Sequence, residues 1–181
     1  CGAALGVQLQ HAGRKAATSA PWEGFRPLAP EAGEAVLGPT DAPAAPGGHV
    51  PRAMAPSDMV RLVGAYAAAA RRADTAGVDL IEIHMAHGYL LHSFLSPLSN
   101  TRADAYGGAI EGRMRFPLEV VEGVRAAWPA HKPLACRISS VDGIGIGWSL
   151  EDSQVLSKAL IAAGVDLVDC SSGGMILPSG Q

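Results

Sequence analysis

The sequence predicts a parallel α/β fold of barrel type, and three observations carry that prediction. The stretch Ala76-Gly77-Val78-Asp79-Leu80-Ile81-Glu82-Ile83-His84 is echoed by Ala163-Gly164-Val165-Asp166-Leu167-Val168-Asp169-Cys170-Ser171, so one local pattern is used twice. Strand-like and helix-like segments alternate along the chain, which is the order of a parallel sheet with crossover helices. No G-x-G-x-x-G stands at a strand-to-helix junction; Gly143, Gly145 and Gly147 fall in a loop at the wrong spacing, which favours a barrel over a doubly wound sheet.

Leu5 to Gln10 reads as the first strand. The segment Ala20 to Pro56 is rich in proline, glycine and alanine and reads as an irregular excursion over the barrel mouth. A helix follows, with Ser57 as its expected cap. Its apolar positions Met59, Val60, Val63, Tyr66, Ala67 and Ala70 recur at helical spacing, and Arg71 and Arg72 lie near its end, where cations suit the helix dipole. Gly77 can take the left-handed position that closes this helix, and the β-branched residues after it suit a strand buried on both faces.

The stretch Ala86 to Gly108 then reads as a long loop. It holds two histidines, a tyrosine, Asn100, Arg102 and Asp104, more polar equipment than a connector needs. A third helix is expected over roughly Ile110 to Trp128, followed by the strand Leu134 to Ser139. Ser149 and Asp152 form a capping-box pattern for a helix running through Leu156 and Leu160 to Ala163. The second copy of the helix-stop and strand closes the order. Residues 1–181 read as a single, incomplete domain.

Composition narrows the function classes. The chain has 181 residues, 48% hydrophobic and 17% charged, enough for one sizeable core. A net charge of -3 with interspersed signs offers no footprint for nucleic acid or anionic lipid. Apolar runs are broken by charge before a bilayer could be spanned, so no membrane partner is expected. Cys1, Cys136 and Cys170 lie far apart, without zinc-site spacing or disulfide-scaffold density, which fits a reducing cytoplasm. Cys136 and Cys170 read as core packing. The chain opens at Cys1 and stops at Gln181 soon after Ser171-Ser172-Gly173-Gly174, and both ends read as cut.

In a parallel barrel, chemistry sits on the loops beyond the strands' C-terminal ends. His84 falls on such an end, with His87 and Tyr89 in the turn beyond it. Two imidazoles can donate hydrogen bonds to one carbonyl or phenolate oxygen and draw charge onto it, and Tyr89 could supply a proton. The same letters allow a metal reading, with His84, His87 and Glu82 as ligands, but His-x-x-His in a turn is a loose pattern with no obvious fourth ligand; no metal is expected. Arg137 is a charge within an apolar strand and needs an anionic partner, either a carboxylate on a neighbouring strand such as Glu82 or the electron-rich edge of a cofactor. Gln8, pointing inward, needs partners for both ends of its amide. His11, Arg14 and Lys15 read as a solvated or phosphate-facing turn.

The segments Gln8-Leu9-Gln10-His11-Ala12-Gly13-Arg14-Lys15, Glu82-Ile83-His84-Met85-Ala86-His87-Gly88-Tyr89-Leu90-Leu91, Phe94-Leu95-Ser96-Pro97 and Asn100-Thr101-Arg102-Ala103-Asp104-Ala105-Tyr106-Gly107-Gly108 together resemble the Old Yellow Enzyme family, in its bacterial-type branch of NADPH dehydrogenases. The likeness continues through Arg113-Met114-Arg115-Phe116 and Arg137-Ile138-Ser139 to Asp169-Cys170-Ser171-Ser172-Gly173-Gly174. It implies a (β/α)8 TIM barrel that binds FMN, is reduced by NAD(P)H, and passes hydride to the C=C bond of an α,β-unsaturated carbonyl compound, an enone or enal. By the same resemblance His84 and His87 bind the substrate oxygen, Tyr89 lies near the proton-delivery position, Gln8 contacts the flavin's pyrimidine edge, and Arg137 faces its N1 region.

Two departures stand out. Glu111-Gly112-Arg113 replaces the family's usual Glu-Asn-Arg, an expected helix cost of some tenths of a kcal/mol, at most ~0.5. The four strands correspond to about the third to sixth of the family's eight, so the segments that complete the flavin site are absent. Two further readings stay open beside the enzyme: an inactive truncated fragment of it, and a metal-dependent barrel lyase or hydrolase. The intact protein is also left free to form a homo-oligomer.

Overall fold

The computed structural model describes residues 2–24, 26–29 and 35–175. Along the chain stand β1 (Gly6–Leu9), the two-residue strands β2 (Leu37–Gly38) and β3 (Arg52–Ala53), α1 (Pro56–Thr75), β4 (Leu80–Met85), α2 (Leu90–Leu95), α3 (Ile110–Ala127), β5 (Leu134–Ser139), α4 (Leu150–Ala162) and β6 (Leu167–Ser171). β1, β4, β5 and β6 make one parallel sheet in that order, and β2 pairs with β3 alone. The sheet does not close: β1 and β6 are its two edges.

The repeated Ala-Gly-Val-Asp segment proves to be a fastening as well as a helix stop. Gly77 and Gly164 take φ of +79° and +88°, the left-handed step that ends each helix. Asp79 then bonds back to the neighbouring strand's first residues. Its N–H donates to the Leu5 carbonyl at 2.8 Å, and its Oδ2 accepts the Leu5 N–H at 2.8 Å. Asp166 does the same to Leu134, at 2.8 and 2.9 Å. Register is thereby set at the N-terminal ends of the strands.

With register set, period-two alternation sorts the side chains. Ile81, Ile83, Met85, Leu134, Cys136 and Ile138 are buried on the helix-covered face, in one core with Met59, Leu62 and Tyr66 of α1 and Val120, Val121 and Val124 of α3. The opposite face is polar. Gln8 aligns with Glu82, and His84 with Arg137 and Asp169. No helix among the described residues is long and apolar enough to cross a membrane.

Three local expectations change. Ser57 is not the cap of α1, because Pro56, whose fixed φ and missing N–H suit the first helical position, starts the helix two residues earlier than a Ser57 cap would, with Ala55 at the N-cap. Asp58 does the capping instead: its Oδ2 accepts the Ala55 N–H at 2.9 Å, and Arg52 grips the same carboxylate at 2.8 and 2.9 Å. The segment 86–108 is not all loop, since α2 lies within it with all six residues buried. Cys170 is exposed rather than packed, because β6 is an edge strand.

Candidate active site

His84 is the fifth residue of β4 and sits on the sheet's polar face, 4% exposed. The chain then turns sharply. His87 and Gly88 take φ of +57° and +71°, and Gly88 has no room for a side chain, since a Cβ would lie 2.5 Å from the Gly174 carbonyl oxygen. Tyr89 caps α2. The result is a three-ring cluster: the His84 ring centroid lies 5.1 Å from that of His87 and 5.3 Å from that of Tyr89. All three residues expected at the site are brought together.

Neighbours fix the turn. The His87 N–H donates to Ser139 Oγ at 3.0 Å, and His87 Nε2 lies 2.7 Å from Ser171 Oγ. Lys15 Nζ donates to the His87 carbonyl at 2.6 Å and also to that of Gly174, with its charge 5.3 Å from the Tyr89 ring centroid. Lys15 is therefore no free surface cation, and Arg14 is 5% exposed with Nη2 donating to the Met175 carbonyl at 2.6 Å. The expectation of a solvated turn is corrected for both: Gly13, at φ +59° and with a would-be Cβ 2.8 Å from Leu90 Cα, presses this segment onto α2.

Charge at the site follows from burial and from these cations. Burial pushes the His84 imidazole down to about 4, with His87 and Arg137 adding to the shift and Asp169 opposing it. His87 is lowered by burial and then by Arg137. Lys15 is lowered to about 8 by burial, with Arg14 beside it. The imidazoles are thus held neutral near pH 7, each with one N–H to donate.

Arg137 and Gln8 both reach this polar face, and the partner expected for Arg137 changes. Register places Arg137 beside Asp169, whose Oδ2 lies 3.4 Å from Nε, rather than beside Glu82. Glu82 instead accepts the Gln8 Nε2–H at 2.6 Å. Among the described residues no three His, Cys, Asp or Glu side chains group as a metal site. The contributions of Lys15, Ser139, Asp169 and Ser171 were not signalled by the sequence. Those of Ser139, Asp169 and Ser171 depend on which strands become neighbours, and that of Lys15 on its segment packing against α2.

Comparison with known proteins follows the same outline. The sequence profile of the NADH:flavin oxidoreductase / NADH oxidase family matches residues 1–178. An NADPH dehydrogenase of Geobacillus thermodenitrificans is 42% identical over 175 residues, a span of 97% of this chain and 47% of that protein. Among solved structures, a 2-naphthoyl-CoA reductase in complex with 2-naphthoyl-CoA superposes with a TM-score of 0.81 at 31% identity, covering 95% of this chain and 26% of that one. Morphinone reductase gives a TM-score of 0.77 at 26% identity, over 93% of this chain and 47% of the other. The chain spans about half the length of the curated relatives it matches. Its four-stranded sheet corresponds to part of a TIM barrel.

Proposed function

The chain belongs to the NADH:flavin oxidoreductase / NADH oxidase family, of Old Yellow Enzyme type, and from that membership we propose that it carries the substrate half of an ene-reductase site, in an FMN-dependent enzyme that passes hydride from NAD(P)H to the C=C bond of an enone or enal. The observation that carries the proposal is the ring cluster of His84, His87 and Tyr89, with the buried His84 Nδ1 left without a hydrogen-bond partner among the described residues. A buried polar atom with no partner is costly unless a ligand satisfies it.

The residues present fit a flat polar ring on the same sheet face. Glu82 takes the Gln8 amide N–H, which leaves Gln8 Oε1 turned to accept from a ring N–H. Arg137 makes no hydrogen bond among the described residues besides its ion pair with Asp169, so its remaining guanidinium N–H groups are free to meet an electron-rich edge. When bound, FMN supplies the two-electron chemistry. His84 and His87 then donate hydrogen bonds to the substrate's carbonyl oxygen, drawing density toward it and leaving the β-carbon electron-poor. Donation by His87 Nε2 requires it to exchange its contact with Ser171 Oγ for the substrate oxygen. The Tyr89 hydroxyl delivers the proton that completes reduction at the α-carbon.

The test is NADPH oxidation, with and without 2-cyclohexenone and with product analysis, by a flavin-loaded full-length barrel enzyme that carries these residues. Tyr89→Phe is expected to lower enone turnover by about 100-fold, the lower range for a lost general acid. His84→Ala or His87→Ala is expected to raise KM for the enone by roughly tenfold or more, the cost of one lost hydrogen bond to a polarised oxygen. Turnover unchanged in all three variants would overturn the proposal.

A further inference from the structure

The turn that carries His87 and Tyr89 is held from beneath by a side-chain pair buried under it. Consecutive left-handed residues are disfavoured wherever a Cβ is present, yet His87 and Gly88 both adopt that conformation. Their two N–H groups enter the protein together: that of His87 donates to Ser139 Oγ at 3.0 Å, and that of Gly88 to His92 Nδ1 at 2.8 Å. A backbone N–H can only donate, so His92 Nδ1 must be bare, and a neutral ring then carries its hydrogen on Nε2.

The other side of that ring faces Asp142. His92 Nε2 lies 3.1 Å from Asp142 Oδ1, at ion-pair distance but outside hydrogen-bond geometry, and both side chains are fully buried. Asp142 Oδ2 accepts from Ser96 Oγ and from the Trp148 N–H, each at 2.6 Å. Burial alone would push this carboxyl up, but the bonds from Ser96 and Trp148, with His92 beside it, outweigh burial and hold it below the usual carboxylate range, ionised. A carboxylate has no hydrogen to offer. It can only receive one from Nε2, which keeps Nδ1 bare for Gly88.

We propose that His92 is a positioning residue for the ene-reductase site: Asp142 fixes its Nε2–H tautomer, and its bare Nδ1 anchors the Gly88 amide, so that the turn presents His87 and Tyr89 to the substrate. The proposal rests on the functional reading above for what the turn presents, and on this chain's own contacts for how the turn is held. His92 touches none of the reacting atoms. Its effect passes through the backbone between two residues that do.

The first measurement is the nitrogen spectrum of His92 in the isotope-labelled protein at neutral pH. An unprotonated Nδ1 beside a protonated Nε2 is expected; a protonated Nδ1 would overturn the proposal. His92→Asn places an acceptor oxygen where Nδ1 stands, whereas His92→Phe keeps the ring and removes every acceptor. Exchange of the Gly88 amide with solvent is expected to quicken by about tenfold in His92→Phe, the equivalent of one net hydrogen bond, and to stay near the parent rate in His92→Asn. In the flavin-loaded enzyme, kcat for the enone is expected to fall about tenfold in His92→Phe and to be largely restored in His92→Asn. Equal loss in the two variants, or none in either, would overturn the proposal. Should His92→Phe fail to fold, the parent spectrum and His92→Asn still decide it. The expected spectrum and amide exchange in a protein that reduces no enone would instead count against the functional reading.

Discussion

Burial sets the charge of His84 before any neighbour does. Its folded imidazole titrates at about 4 against 6.5 for a free one, so the unfolded chain binds the proton more readily. Between these values unfolding takes up as much as one proton, and stability falls as the pH is lowered through the window; above 6.5 the residue adds no slope. Urea midpoints measured across that window should decline more steeply for the parent than for His84→Asn, and parallel profiles would mean that the ring is solvated. The sequence disclosed His84, His87 and Tyr89 because strand and turn spacing alone gather them. It could not disclose Asp169 as the partner of Arg137, nor Ser171 as that of His87, since alternation tells which face a side chain takes and not which strand arrives beside it. Lys15 was hidden for a similar reason: a basic residue after a strand looks solvated until Gly13 presses its segment onto α2.

At the scale of elements, junctions and strands were the most legible parts. β5 spans Leu134 to Ser139 as its apolar run suggests, and α4 carries the Ser149–Asp152 capping box, with bonds of 3.1 and 3.2 Å in the two directions. α2 was not legible, because six residues are too few to display a helical period and all of them are apolar or buried. Gly112 in α3 has a use that propensity did not reveal. A Cβ there would run into the Gly107 carbonyl oxygen, so the missing side chain lets the loop before α3 fold against the helix. Restoring the family's more usual residue, Gly112→Asn, should therefore destabilise by roughly 1–3 kcal/mol through overpacking, despite asparagine's better helix propensity. A thermal melt decides between the two effects, and a gain in Tm would show that the loop yields freely.

On the scale of the molecule, the parallel sheet of the described residues has two open edges, β1 and β6, and does not close around its polar face. On the proposed reading Gln8 and Arg137 meet one side of a flavin, and four strands cannot surround it. The purified 181-residue chain is therefore expected to retain far less than stoichiometric FMN after excess flavin is removed. An absorbance spectrum checks this, and a full protein-bound flavin band would refute it. The parallel order of the sheet was readable from the repeated junction, whereas the fastening made by Asp79 and Asp166 was not, because an aspartate before a strand looks like an ordinary turn residue. That fastening divides the labour of the sheet. Strand alignment is secured at the end remote from His84, so the segments at the opposite end are spared the task of maintaining it. Insertions, deletions and exchanges there can retune what the protein accepts while the scaffold beneath them stays aligned, which makes this architecture tolerant ground for acquiring new substrates.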